Sequence, residues 1–218
     1  MNKKAFIFDL DGVIVDTAIY HFLAWQKLAQ ELGIEFTPEH NEALKGVSRV
    51  RSLDIILKLG KVTALQEDKN RWLIQKNEDY LSYLKDIDQS EILPGVMPIL
   101  QFLKEKNQPI ALGSASKNAR PILEKTGIIK YFDAIVDGND VTNAKPDPEV
   151  FLQAAKLLGT TPENAIVFED SVAGIQAANI AKMISIGIGS ASILHEAKFI
   201  FKDFSFMDVS FIDAMLQV

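Results

Sequence analysis

The stretch "AFIFDLDGVIVDT", Ala5 to Thr17, decides the fold. Ala5–Phe8 is a short apolar run of the kind buried on both faces of a sheet. It stops at two carboxylates, Asp9 and Asp11, separated by Leu10 and followed by Gly12. A strand made only for packing has no use for that ending. Residues i and i+2 of an extended chain point the same way, so Asp9 and Asp11 can face one point beyond the strand, and Gly12 lets the backbone turn sharply. Two bare carboxylates there repel each other, which a divalent cation would relieve. An all-oxygen donor set with room for phosphate favours Mg²⁺ over zinc or copper. A plain Asp-Gly turn is the competing reading. An EF-hand loop is not, because Val13 occupies a ligand position and the glycine comes too early.

Working outward, Pro94 to Gly189 alternates short β-branched runs with helical stretches: "PIALGSAS", "ARPILEKTGI", "DAIVDG", "DPEVFLQAAKLLG", "NAIVFEDS", "VAGIQAANIA" and "KMISIGIG". That rhythm predicts βαβ units and a parallel sheet with helices on both faces. From about Thr17 to Leu93 the texture changes to apolar residues at three- and four-residue spacing, in "YHFLAWQKLAQELG", "RSLDIILKLG" and "EDKNRWLIQKNEDYLSYLKD". Thr37-Pro38 reads as a helix start, and no strand is expected. The first strand therefore belongs to the later sheet. This gives a core of residues 1–16 and 94–218 with an all-helical insert, 17–93, and Thr17 as the hinge. After Gly189 only an amphipathic finish is legible.

Composition bounds the chemistry. Across 218 residues, 23 Lys+Arg are scattered among 29 Asp+Glu for a net charge of −6, so no basic stripe exists for nucleic acid or an anionic membrane. The absence of cysteine excludes disulfides, thiolate metal sites and Cys nucleophiles. His21, His40 and His195 are too dispersed to suggest zinc. Met1–Lys4 lead straight into the first strand without a secretory apolar region, and no stretch reaches membrane length. A cytoplasmic monomer acting on a small molecule is the expectation.

Ligands of an open parallel sheet bind beyond the carboxyl ends of its strands. Four such places carry chemistry: Asp9 and Asp11; Ser114-Ala115-Ser116 after "IALG"; Lys145 before Pro146; and Glu169-Asp170 after "IVFE". Backbone N–H groups from Ser114 to Asn118, where a helix is expected to open from Lys117, suit a phosphate. Pro146 keeps Lys145 extended, Asp147 can cap, and Pro148 suits a first helical turn. Each place taken alone has a plain structural reading: a turn, an N-cap serine, a surface lysine, a solvated acid pair. Four such coincidences at strand ends argue for one site.

These residues, Asp9-Leu10-Asp11-Gly12-Val13, Ser114, Lys145-Pro146 and Glu169-Asp170, resemble the four signature motifs of the haloacid dehalogenase superfamily, in order, with the helical insert in the position of a cap. The resemblance implies a Rossmann-like α/β core. Within that superfamily, "DLDGVIVDTAIYHFLAW", "LKGVSRVRSL", "SASKN" and "EDSVAGIQAA" are similar to sugar-phosphate mutases. The resemblance implies that Asp9 is the nucleophile that becomes an aspartyl phosphate, and that Asp11 is the general acid/base. It implies that Ser114 and Lys145 balance phosphate charge, and that Mg²⁺ rests on Asp9, the Asp11 carbonyl, Asp170, and Glu169 directly or through water. The reaction so implied interconverts β-D-glucose 1-phosphate and D-glucose 6-phosphate through glucose 1,6-bisphosphate. By the same resemblance Arg49 clamps the far phosphate, helped by Ser116, Lys117 and Asn118, while the N–H groups near Ser114 and Ala115 balance charge on the transferring phosphate. Gly46, Val47, Ser48 and Ser52 lie near that loop, His21 and Trp25 lie on the first cap helix, and Lys76 corresponds to a further substrate contact. Gly113 departs from the usual residue before Ser114 and is expected to loosen that strand end.

The nearest alternative is a sugar-phosphate phosphatase of the same fold. A second, from another class, is a non-enzymatic receiver-like phosphoacceptor module, which also places acids, a hydroxyl and a lysine on a parallel sheet. A dehalogenase is disfavoured, because Asp11 and the cation-binding acids would have no task.

Overall fold

The computed structural model describes residues 3–217. Six parallel strands form one sheet in the order β3-β2-β1-β4-β5-β6. They are β1 (Ala5–Phe8), β2 (Ile110–Gly113), β3 (Ala134–Val136), β4 (Ala165–Glu169), β5 (Ile184–Ile188) and β6 (Phe199–Phe201). β1 is central: Phe6 pairs with Ile110 on one side and Ile166 on the other. Its four residues are fully buried. A strand covered on both faces has no polar face to alternate with, which is why it reads as an unbroken apolar run.

The period-two geometry of the strand divides that run between two layers. Phe6 and Phe8 enter one apolar cluster together with α5 (Val96–Glu105), α6 (Ala119–Lys125) and α9 (Val209–Met215). There the Phe8 and Phe168 rings stack 4.5 Å apart. Ala5 and Ile7 enter the other cluster with α7 (Glu149–Leu157) and α8 (Val172–Ile180). The chain builds outward from β1 through β2 and β3, then crosses to the far side for β4 to β6. The switch point therefore lies between β1 and β4, and Asp9 and Glu169 sit at its lips.

Between β1 and α5 the chain is helical: α1 (Ala18–Glu31), α2 (Pro38–Glu42), α3 (Arg49–Leu59) and α4 (Gln66–Tyr83). No strand occurs there among the described residues. Thr37 starts α2 with a capping box shared with His40, and Ser48 starts α3 by accepting the Arg51 N–H. These helices enclose their own apolar cluster, with Trp25, Leu28, Phe36, Leu53 and Ile56 at its centre. The two connections to the sheet run side by side: Asp16 N–H donates to Glu91 O (2.9 Å) and Leu93 N–H to Ile14 O (3.0 Å). Among the described residues no helix is long and apolar enough to cross a membrane.

One strand was not legible in the sequence. β6 is three half-buried residues that extend the sheet beside β5, and "FIF" is too short to carry a period.

Candidate active site

The loop after β3 carries Lys145 inward until its ammonium is buried, 1% exposed, at the switch point. All three of its donors are used: Asp9 Oδ1 at 2.6 Å, Glu169 Oε1 at 2.5 Å and the Gly113 carbonyl at 3.2 Å. Glu169 Oε2 accepts the Ser171 N–H and Oγ–H, both at 2.8 Å, and Ser171 Oγ in turn accepts the Gly174 N–H that opens α8. A Cβ on Gly174 would overlap the Glu169 carboxylate, so the close approach of helix to acid requires glycine. Glu169 therefore has both oxygens committed. It stands as the support of Lys145.

Gly113 does not loosen its strand end. The space a Cβ would take is filled by Phe151 (2.9 Å) and Ile7 (3.1 Å), so the glycine lets the buried Phe151 ring pack there, beneath the Lys145 ammonium. Asp147 accepts the Glu149 N–H, as a cap would, and Pro148 is the N-cap of α7.

Burial pushes Asp9 up to about 7, with Lys145 pulling it down and Glu169 and Asp11 pushing it further up. Burial and the neighbouring Glu169 and Asp9 also hold Asp170 well above the carboxylate range. Burial pulls the Lys145 ammonium down, but Asp9 and Glu169 more than offset it and raise its proton affinity. Acids that raise one another in this way lack positive charge, and the donors are all oxygen, which suits Mg²⁺. Gly12, at φ +80°, leaves room that a Cβ would take from the Asp170 carboxylate. No three His, Asp or Glu side chains surround one point among the described residues. The Asp9 and Asp170 carboxylates, close enough to raise one another, are the side chains that could hold a cation there.

Asp11 faces the helical side. Thr17, at the foot of α1, donates its hydroxyl to Asp11 Oδ1. His21 Nε2 lies 3.7 Å from the same oxygen, and His21 Nδ1 is 2.7 Å from Lys76 Nζ. When Lys76 carries its proton it only donates, so Nδ1 accepts and the ring proton sits on Nε2, on the side of Asp11. Burial, then Lys76 and Arg49, hold His21 well below its ordinary range and keep it neutral. Lys76 is 1% exposed and has no carboxylate partner; it lies 4.9 Å over Trp25 and 4.7 Å over Tyr80. Burial and then Arg49 lower it to about 7, against the pull of Asp11.

A cavity of about 380 Å³ spans the two sides. Asp9, Asp11, Ser114, Lys145 and Asp170 line its sheet end. His21, Trp25, Gly46, Val47, Ser48, Arg49, Ser52 and Lys76 line its helical end, and Ala115, Ser116 and Lys117 form the wall between. Ser48 and Ser52 are partly spent on α3 itself, since Ser48 caps it and Ser52 Oγ donates to the Ser48 carbonyl. Gly46, at φ +71°, lets its loop reach Ser171, where a Cβ would overlap the hydroxyl.

Two site residues fall elsewhere than predicted. α6 opens at Ala119 rather than Lys117, because the Ser114 and Ser116 hydroxyls accept the N–H groups of Ser116 and Asn118 and hold the preceding loop in turns. Asn118 does not line the cavity; its amide donates to Asn77 Oδ1 at 3.1 Å and so ties this loop to α4. Three residues were missed. Lys45, beside Gly46 in "LKGVS", lies 3.8 Å from Asp170, and its place in that loop was the available signal. Asn77 and Tyr80 are masked by a helix that reads as a solvated face.

A model of the haloacid dehalogenase-like hydrolase family matches residues 3–182. The chain belongs to that family. It is an enzyme of the family whose four motifs converge on this cavity. The β-phosphoglucomutase of Bacillus subtilis is 43% identical over 188 residues, covering 85% of this chain and 83% of the relative. A phosphorylated carbohydrates phosphatase of Thermotoga maritima is 34% identical over 181 residues, covering 82% and 81%. The crystal structure of a β-phosphoglucomutase from Clostridium difficile superposes with a TM-score of 0.94 at 43% identity, covering 99% of this chain and 98% of that one.

Proposed function

We propose that this enzyme is a Mg²⁺-dependent phosphoryl-transfer isomerase that interconverts β-D-glucose 1-phosphate and D-glucose 6-phosphate. The observation that carries the reading is a cavity with cationic groups at both ends. Lys145 and Ser114 line the sheet end with Asp9, while Arg49 and Lys76 line the helical end and Lys117 the wall between, so a bisphosphate can be held at either phosphate. Hydrolysis of a monophosphate needs only one such end.

Asp9 Oδ, held by Lys145, attacks phosphorus, and the bond from phosphorus to the sugar oxygen breaks. Asp11 gives that oxygen its proton, then takes one from the hydroxyl that attacks the aspartyl phosphate in the second half. A Mg²⁺ ion would be held by the Asp9 and Asp170 carboxylates and the Asp11 carbonyl, and would supply charge neutralisation for the transferring oxygens. Lys145 and the Ser114 hydroxyl do the same from the protein side. Residues 17–93 act as a cap that closes over the sugar and keeps water from the aspartyl phosphate. Thr17 and the neutral His21 hold Asp11 toward the leaving oxygen. Arg49 binds the far phosphate through its planar fork, assisted by Ser116 and Lys117, with Asn118 acting as a tie to α4. We place the enzyme in the cytoplasm as a monomer.

The phosphatase relative makes hydrolysis the reading to exclude. Incubation with Mg²⁺, β-glucose 1-phosphate and a trace of glucose 1,6-bisphosphate should give glucose 6-phosphate in large excess over inorganic phosphate. Release of phosphate without isomer would overturn the mutase reading in favour of hydrolysis. Loss of all turnover, with an Asp9 that still takes a phosphoryl group, would favour a phosphoacceptor module.

A further inference from the structure

Tyr80 is fully buried in the last turn of α4, yet neither its ring nor its hydroxyl has a part in the phosphoryl transfer itself. Its ring lies against the His21 imidazole, with centroids 3.9 Å apart and planes inclined by 26°. On the same residue the Lys76 ammonium sits 4.7 Å from the ring centre. One aromatic ring thus touches both members of the pair that reaches Asp11. The Tyr80 hydroxyl is buried near Asp11 and the Thr17 hydroxyl but makes no hydrogen bond of good geometry among the described residues.

Lys76 lies between the Tyr80 and Trp25 rings, but only Tyr80 also stacks on His21 among the described residues. Among the described residues the His21 ring hydrogen-bonds to Lys76 alone, and Lys76 otherwise faces the Trp25 ring at 4.9 Å. An ammonium is attracted to the face of an aromatic ring, and a stacked imidazole loses its freedom to rotate. Without the ring, Nε2 of His21 could swing from the Asp11 oxygen 3.7 Å away. Tyr80 also belongs to the main apolar cluster shared with β1, so it locks this pair to the sheet as well as to α4.

We propose that Tyr80 is a positioning residue for proton transfer: its ring fixes the His21–Lys76 pair against Asp11, and its hydroxyl is dispensable. The inference rests on the phosphoryl-transfer reading, but not on whether sugar or water is the final acceptor.

The test compares Tyr80→Met and Tyr80→Phe with the unchanged protein on two phosphoryl donors. From a sugar phosphate the leaving oxygen needs a proton; from p-nitrophenyl phosphate the anion departs without one. Tyr80→Met should lower kcat for the sugar phosphate roughly tenfold or more, with KM little changed, and leave the p-nitrophenyl phosphate rate within about threefold. Tyr80→Phe should keep both rates within about threefold. Equal loss on both donors with Tyr80→Met would reduce the residue to packing and overturn the proposal. A sugar-phosphate loss in Tyr80→Phe as large as in Tyr80→Met would overturn the ring as the active feature. Should Tyr80→Met not fold, judged by its circular dichroism, Tyr80→Leu takes its place and Tyr80→Phe alone still decides against the ring. If the unchanged protein released phosphate without isomer, the mutase reading would fall while the donor comparison still tested Tyr80.

Discussion

Lys145 and Lys76 are each 1% exposed and face the same cavity from opposite sides, yet the fold treats them in opposite ways. Lys145 is held by two carboxylates and a carbonyl, and those acids raise its proton affinity against the pull of burial. Lys76 has an imidazole nitrogen and two aromatic rings, and burial lowers it to about 7. The difference teaches what each end is for. A cation already matched by acids can hold a nucleophile in place before any substrate arrives. A buried cation without an acid is incomplete until an anion or a sugar hydroxyl enters.

The sharpest way to break this contrast is at the acid that Lys145 holds. Asp9→Asn keeps the shape of the side chain but removes the attacking charge, and kcat should fall by at least about 10⁴-fold. Intact-mass spectra after exposure to substrate should then show no phosphoenzyme. Retained turnover would mean that the sheet end is not the reacting end. Next in size is the stability of the two lysine variants. Lys145→Met leaves Asp9 and Glu169 buried without their cation and should lose about 3–5 kcal/mol in urea unfolding. Lys76→Met removes a buried charge that has no acid partner and should change stability by less than about 1 kcal/mol or raise it, while KM for the sugar phosphate rises. Similar losses in both would erase the distinction.

The same contrast explains what could be read from the sequence. The sheet end was legible because its chemistry falls at strand ends, where apolar runs stop abruptly: Asp9 after "AFIF", Ser114 after "IALG", Glu169 at the end of "AIVFE". Spacing alone could suggest a shared direction for Asp9 and Asp11. It could not show that Glu169 spends both oxygens inside the protein, because that depends on Lys145 arriving from a loop 24 residues earlier. The helical end was harder. Lys76 lies in "QKNEDY", which has the composition of a solvated face, and only the approach of α1 to α4 buries it with Tyr80. Gly113 was misjudged for a similar reason, since its need for no side chain comes from Phe151, distant in sequence. Strand ends are local features, whereas the burial of a polar helix face is set by tertiary packing.

The effect that sharpens the contrast most is the dependence of stability on pH. A lysine titrates near 10.4 in an unfolded chain and Lys76 near 7 in the folded one. Below about pH 7 both forms are charged, and the folded state bears the full penalty of burying the ammonium. Between those values the unfolded chain binds a proton that the folded one has released, so stability rises with pH; above both, the dependence ends. The stability of the unchanged protein minus that of Lys76→Met should therefore climb by roughly 1–2 kcal/mol between about pH 7 and 8.5, other groups cancelling in the difference. Urea midpoints at a constant slope measure it. A flat difference would mean that an acid already neutralises Lys76, and the two lysines would be alike. With a sugar phosphate bound, the anion should hold the proton on Lys76 and flatten the climb. That flattening separates a cation awaiting substrate from one that is merely buried.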